Sequence, residues 1–432
     1  MNKEIRRHQV VIVGGGAAGL ELATYLGKKL GRKGLADITL LDATHTHIWK
    51  PLLHEVAAGT LDETEQVEYL AQAYRSGFLF RLGKMDGLDR ENKQISVAPT
   101  LSEKTGEELI PRRDFQYDTL VMAVGSVSNT FNIKGVDKNC RFLDSVAEAF
   151  DFQQQLVETY IKSHVSRKTK LSIGIVGAGA TGVELAAQLH EVTNTLAMYG
   201  LDAVKDVQIT IIEAAPRLLP ALPDRLAMAT QRQLINLGID LRLDCRVVEV
   251  TKEAIKTHDG ELIPAELKVW AAGIKAPDWF KDLGGLEINN INQLVVQQNL
   301  KTSDENIFAI GDCAACPWPG HDANVPPRAQ AAHQQATTLA KSIVNRVKGK
   351  EELVNYVYRD YGSLVSLGKY STVGNLMGNL MGSVSVGGFI ARVVYLALYK
   401  MHQIAIHGYY RTAMLTLSNL FRDSVYKRIK LH

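Results

Sequence analysis

The most constraining feature of the sequence is a strand, a glycine turn and a helix in immediate succession near its start. Val10 to Val13 are consecutive β-branched apolar residues, and Gly14, Gly16 and Gly19 follow in a G-x-G-x-x-G spacing. Leu20, Leu22, Ala23 and Leu26 then continue at helical intervals. Each glycine has a separate reason. Gly14 makes the tight turn, Gly16 lets the backbone approach a pyrophosphate, and Gly19 lets the helix pack on the strand. The phosphates lie at a helix N-terminus, where unpaired N–H groups and the dipole favour an anion. Ile38 to Leu41 read as the second strand, and Asp42 at its end is placed to accept from a pair of ribose hydroxyls.

The whole pattern recurs. Leu171 to Val176 form a strand, Gly177, Gly179 and Gly182 repeat the turn, and Glu184, Leu185, Ala186 and Leu189 carry the helix. Ile209 to Ile212 repeat the second strand, with Glu213 in the position of Asp42. The first glycines of the two turns lie 163 residues apart, too far for a solenoid repeat and about the size of one nucleotide-binding domain. Two such units imply two dinucleotides and an enzyme that passes electrons between them. A carboxylate at 213 accepts from ribose hydroxyls and repels a 2′-phosphate, so NADH is expected over NADPH, with Arg217 close enough to weaken the preference.

Composition narrows the partners. A net charge of +3 on 432 residues carries no global nucleic-acid signature. No run reaches the roughly 18 to 20 apolar residues of a spanning helix. Met1 to Arg7 lead straight into the first strand, so no apolar targeting segment is expected. Four cysteines are too few for a disulfide framework in so long a chain.

Other stretches point to ligand contacts. His45, His47 and His54 lack the spacing of a metal set, and Thr44 to Thr60 read instead as a loop lining a cofactor ring, with Lys50 facing its polar edge. Tyr117 to Ser126 form a buried strand ending in small residues around Gly125, and Leu267 to Gly273 end the same way at Ala272 and Gly273. Small residues there let a ligand approach the carboxyl end of a strand. Asn306 to Ile310 form a further strand ending in Gly311 and Asp312, where the carboxylate can accept from a ribityl hydroxyl. Cys313 and Cys316 are either a redox pair or small packing residues, and no metal site is expected. Gln330 and Gln334 share one helix face, as a site for a carbonyl-bearing acceptor or as a solvated stripe.

The composition shifts near Tyr361. No acidic residue occurs between Tyr361 and Arg422, and five glycines from Gly374 to Gly388 interrupt the first part. From Ile390 the pattern is helical. Ile390, Val394, Ala397, Met401, Ile404 and Ala405 form an apolar stripe, with Arg392, Tyr399, Lys400, Gln403 and His407 opposite. Met414, Leu417 and Phe421 form a second stripe before the basic Lys427, Arg428 and Lys430. These are the marks of helices lying in a membrane interface and drawn to anionic lipid, or of a dimerising or core-capping pair.

On these residues the chain resembles the bacterial type II NADH:quinone oxidoreductases over essentially its whole length. The likeness rests on Gly14 to Gly19 with Asp42, on Trp49 to Val56, and on Gly177 to Glu184 with Glu213. It also rests on Trp270 to Gly273, Gly311-Asp312 and Ala329 to Gln334, the last matching an A-Q-x-A-x-Q quinone-site pattern. The resemblance implies an α/β chain with two Rossmann-like dinucleotide-binding domains on the disulfide-reductase plan and a C-terminal amphipathic attachment region. It implies an FAD-binding domain in residues 1–165 and 289–360, an NADH-binding domain in 166–288, and the membrane region in 361–432. FAD would be the cofactor, NADH the donor and a membrane quinone the acceptor. Glu184, Gln330 and Gln334 would serve the reaction at the cytoplasmic face of the inner membrane, and a homodimer stays open. A disulfide reductase or a sulfide:quinone oxidoreductase shares the plan but needs cysteines at the flavin, where residues 14–60 have none. A flavoprotein that answers NADH through a partner is the reading from another class.

Overall fold

The computed structural model describes residues 6–61, 66–102, 104–165, 170–196, 207–350, 352–367, 372–378 and 382–425. Met1 to Ile5, Tyr370, the basic Lys427, Arg428 and Lys430, and the side chains of Ile390, Arg392 and Val394 lie outside it.

In chain order, β1 (His8–Val13), α1 (Ala17–Lys29) and β2 (Ala36–Asp42) are followed by α2 (Leu53–Ala57), α3 (Tyr69–Ser76), β3 (Leu79–Leu82) and β4 (Thr119–Met122). After α4 (Val146–Val165) come β5 (Leu171–Val176), α5 (Ala180–Leu196), β6 (Val207–Ile212), β7 (Asp240–Arg242) and β8 (Leu267–Trp270). Then follow β9 (Ile307–Ala309) and α6 (Ala329–Val347). The first sheet has the order β9-β4-β1-β2-β3, the second β7-β6-β5-β8, and every pairing in both is parallel. Parallel strands are covered on both faces, which is why the central ones read as unbroken apolar runs. Val10 to Val13 and Ile173, Ile175 and Val176 are all buried.

The two sheets repeat each other at the end of the central strand. Gly14 N–H donates to Leu41 O and Gly177 N–H to Ile212 O, both at 2.8 Å. Ala123 N–H donates to Val13 O at 2.7 Å, and Ala271 N–H to Val176 O at 2.8 Å. The chain leaves the first sheet after β4, builds the second, and returns through β9. One segment breaks the separation: Ile48, Leu53, Val56, Ala57 and Ala58 lie in the core of the second sheet although they follow β2 of the first.

The C-terminal region begins with a sheet that the sequence reading lacks. Antiparallel β10 (Gly362–Ser366), β11 (Thr372–Gly378) and β12 (Gly382–Gly387) precede α7 (Gly388–His407) and α8 (Tyr409–Val425). The glycines that excluded a spanning helix here belong to strands. Among the described residues no helix is long and apolar enough to cross a membrane. From Ala397 on, α7 turns polar residues inward: His402 and Gln403 are buried and Tyr399 stacks on Trp49, while Met401 is 42% exposed. Buried acceptors and a ring in the body, described below, account for that orientation.

Candidate functional site

The two glycine turns show which of their glycines the fold itself requires. A Cβ at Gly14 or Gly177 would collide with the backbone at Ala123 or Ala271, and both residues have positive φ. A Cβ at Gly19 or Gly182 would overlap the carbonyl oxygen of Gly14 or Gly177. The middle glycines differ. Gly179 has no atom within 4 Å of its would-be Cβ, and Gly16 has only Ala123 O at 3.9 Å. Gly16 also has an ordinary φ of −59°, it starts α1 without a side-chain cap, and no acidic residue stands in the first turn. Protein packing asks for no glycine at these two places. An uncapped helix start beside an open backbone offers free N–H groups and room for an anionic group.

The acidic residues close the turns. Asp42 accepts from Gly15 N–H at 2.6 Å and Glu213 from Ala178 N–H at 2.7 Å, the equivalent bond in each unit. Arg217 is engaged by Asp224, Leu222 O and Pro220 O, so its charge is directed into its own loop and away from the Glu213 carboxylate. Gly273 has φ +67° and lies against the Phe131 ring, and Ala272 O accepts from Trp270 Nε1 at 3.1 Å.

At the carboxyl end of the first sheet, Lys50, Gly125, Gly311 and Asp312 come together. Lys50 Nζ donates to Ser126 O at 2.7 Å and lies 3.6 Å from Asp144. Ser126 Oγ donates to Asp312 at 2.9 Å, and Gln335 Oε1 accepts from Gly311 N–H at 2.7 Å. Gly125 and Gly311 have φ of +75° and +76°, a conformation that favours glycine. Four residues drawn from segments up to 262 positions apart in sequence thus frame one polar rim. Ser126, Asp144 and Gln335 are additions that no local motif marks.

Glu184 sits where the second unit meets the rest. It is 6% exposed, accepts from Ser366 N–H at 2.8 Å, and its other oxygen lies 3.6 Å from His54 Nδ1. Burial raises its pKa to about 8, against the opposing Ser366 bond and with help from nearby Glu55. Burial also pulls His54 down to about 4. Both are therefore neutral at pH 7, and the contact joins a carboxylic acid to an imidazole rather than two ions.

Gln330 and Gln334 share a face, but their amides are engaged within the chain. Gln330 donates to Gly362 O and Asp360 and accepts from Tyr361 N–H, while Gln334 both donates to and accepts from the Arg359 backbone. They pin the strap from Arg359 to Gly362, which runs on through β10 to Ser366 and Glu184. Cys313 and Cys316 are buried, and burial pushes both thiols up to about 12, so neither is a thiolate at neutral pH. Among the described residues no group of side chains could hold a metal ion.

The model of the pyridine nucleotide-disulphide oxidoreductases matches residues 8–336. A type II NADH:quinone oxidoreductase of Haemophilus influenzae is 42% identical over 98% of this chain and 99% of its own length. The chain belongs to the type II NADH:quinone oxidoreductases. A Staphylococcus aureus relative with the same description is 30% identical over 86% of this chain and 90% of its own. NDH2 from Plasmodium falciparum, solved with NADH, superposes with a TM-score of 0.82 at 19% identity, covering 99% of this chain and all of its own, which shows the shared fold.

The sterics separate folding from binding. Gly182→Ala will cost about 1–3 kcal/mol of stability, read as a lowered urea midpoint. Gly179→Ala will keep the midpoint within about 0.5 kcal/mol of wild type yet weaken NADH binding about 10-fold or more, read by titration. Glu184 gives a pH signature. Its folded pKa exceeds the reference value of 4.5, so the folded state holds more protons between pH 4.5 and about 8, and stability falls as pH rises through that window. Glu184→Gln will flatten the slope by up to about 1.4 kcal/mol per pH unit, measured by denaturant melts across the window.

Proposed function

We propose that this chain oxidises NADH and reduces a membrane quinone through bound FAD, without proton pumping. The observation that carries the reading is the doubled glycine turn with an open middle glycine in each copy, in a chain of this family. Residues 1–165 and 289–360 form the FAD-binding domain, 166–288 the NADH-binding domain, and 361–432 the attachment region.

FAD held at this site would supply the hydride-accepting and two-electron chemistry that links NADH to the quinone. The chain supplies position, charge and protons. Gly14, Gly16, Gly19 and Asp42 cradle the first dinucleotide, and Lys50, Gly125, Gly311 and Asp312 hold its flavin end. Gly177, Gly179, Gly182 and Glu213 hold NADH, and Ala272 and Gly273 let the nicotinamide approach. Positioning the two ligands for transfer would be the chain's main contribution to catalysis. Reduction of the quinone consumes two protons, and Glu184, neutral below about pH 8, carries one at the junction. Gln330 and Gln334 shape the acceptor pocket through the strap that reaches Glu184.

Attachment to the cytoplasmic leaflet falls to α7 and α8. On α8, Tyr410, Met414, Leu417 and Phe421 share one face and are 79%, 52%, 50% and 72% exposed. So long an exposed apolar face, between basic residues and free of acidic ones until Asp423, suits an anionic lipid interface.

Anaerobic flavin absorbance tests the function. NADH will bleach the flavin band, and a short-chain quinone will restore it. Bleaching without recovery would point to a protein or disulfide acceptor, and no bleaching would remove NADH as the donor. The triple variant Met414→Asp, Leu417→Asp, Phe421→Asp will lose about 10-fold or more of its partition onto phosphatidylglycerol vesicles in flotation, with flavin bleaching by NADH retained.

A further inference from the structure

Outside the site just described, four titratable side chains from four separate elements are joined in one network. Glu21 on α1 is 6% exposed and takes His333 Nδ1 of α6 at 2.5 Å on one oxygen. Its other oxygen takes His402 Nδ1 of α7 at 2.6 Å. The far side of His402 meets His47, Nε2 to Nε2, at 2.9 Å, and His47 is itself buried. One proton lies between those two nitrogens. Burial alone would raise Glu21, but the two histidines bring it below the usual carboxylate range, so the network holds a charged acceptor.

A bland role exists for such a network, which is to glue the C-terminal helix to the body. Three features ask for more. The glue attaches to a small two-stranded ribbon, where Thr46–His47 pairs antiparallel with Val67–Glu68, rather than to either large sheet, and His47 lies two residues before Trp49 and three before Lys50. The attachment is double: Tyr399 stacks on Trp49 with centroids 5.3 Å apart, and His402 lies parallel to the same indole at 6.2 Å. The segment then delivers Lys50 to Ser126 O and Asp144, and His54 to Glu184. Helix α7 is fixed independently at its end, where the Ile406 carbonyl accepts from Lys28 Nζ of α1 and Gln72 Nε2 of α3.

We infer that α7 is a positioning element for the reaction: through His402 on His47 and Tyr399 on Trp49 it holds Lys50 at the flavin end of the cofactor site. His402 and Tyr399 are positioning residues, since neither reaches the polar rim itself. Glu21 and His333 fix the His402 ring, so the imidazole presents Nε2 to His47. The helices proposed to meet the membrane therefore share one rigid contact with the residue proposed to meet the flavin. This inference rests on the assignment of Lys50 to the flavin end made above.

The test uses the full-length, FAD-loaded protein with His402→Ala, Tyr399→Leu, Lys50→Met and the double His402→Ala/Lys50→Met. Two readouts are followed, the flavin absorbance band and amide hydrogen exchange of residues 46–53. His402→Ala should speed exchange in 46–53 about 10-fold or more while leaving strands 207–212 and 267–270 unchanged. It should also move the flavin band in the direction that Lys50→Met moves it, and the double variant should move it no further than Lys50→Met alone. Tyr399→Leu, which keeps the buried network intact, should give the same changes at smaller size and serves where His402→Ala folds poorly. Unchanged exchange in 46–53, or band shifts that add in the double variant, would overturn the inference. A band that Lys50→Met does not move would overturn the Lys50 assignment and this inference with it. A band moved by Lys50→Met but by neither α7 variant would overturn the inference alone.

Discussion

Everything in this molecule depends on how closely a helix can be laid against a glycine turn. At Gly19 and Gly182 the helix backbone lies directly on the carbonyl of the turn's first glycine, leaving no room for a Cβ. That closeness aims the helix start, with its unpaired N–H groups, at the end of the central strand. It also fixes the rotation of the helix about its own axis. A residue two positions past the third glycine must then point inward, toward whatever packs against that helix.

Both inward positions carry glutamate, and this is where the two halves diverge. Glu21 and Glu184 are equally buried and occupy the same place in the repeat. Glu21 has two histidine partners within 2.6 Å and is held below the usual carboxylate range. Glu184 has one backbone N–H, a neutral histidine at 3.6 Å and Glu55 nearby, and it rises to about 8. A buried carboxyl takes the charge state its partners support, and the cost of desolvation is otherwise met by keeping the proton. The same fold position thus serves as a fixed anion that orders side chains in one half. In the other it is a carboxyl that keeps its proton up to about pH 8.

How much of this could be read from residues alone follows from the range of the forces involved. Strand, turn, helix and terminal acid are neighbours along the chain, so Gly14 to Asp42 and Gly177 to Glu213 were legible, as was Gly311-Asp312 after an apolar run. The partners of those residues were not. Ser126 is one residue past a predicted glycine, and Gln335 one past Gln334. Nothing local says that Gln335 turns to Gly311 while Gln330 and Gln334 clamp the strap at Arg359 to Gly362. The three strands from Gly362 to Gly387 were hidden because glycine and serine carry little β signal, and their order comes from pairing with one another. In α7 the apolar stripe suggested a face for a membrane interface, or for a dimerising or core-capping contact. The structure turns His402 inward beside Ile406, because a carboxylate, an imidazole and an indole in the body offer His402 and Tyr399 partners that aliphatic side chains cannot use.

The segment from His47 to Ala57 shows what such long-range contacts do together. It is too short and too broken by Pro51 to hold a shape alone, with a single 3₁₀ turn and a five-residue helix. Beyond the short ladder that pairs His47 with Val67, its order is imposed from three sides. His47 and Trp49 are held by α7, Lys50 by the rim at Ser126 and Asp144, and Leu53, Val56 and Ala57 by the core of the second sheet. A segment ordered by three bodies transmits displacement among them, because moving any one anchor changes the path between the other two. Its low intrinsic order is then what fits it to connect the two nucleotide units and the C-terminal helices, since a stiff helix at this place would answer to one of them only.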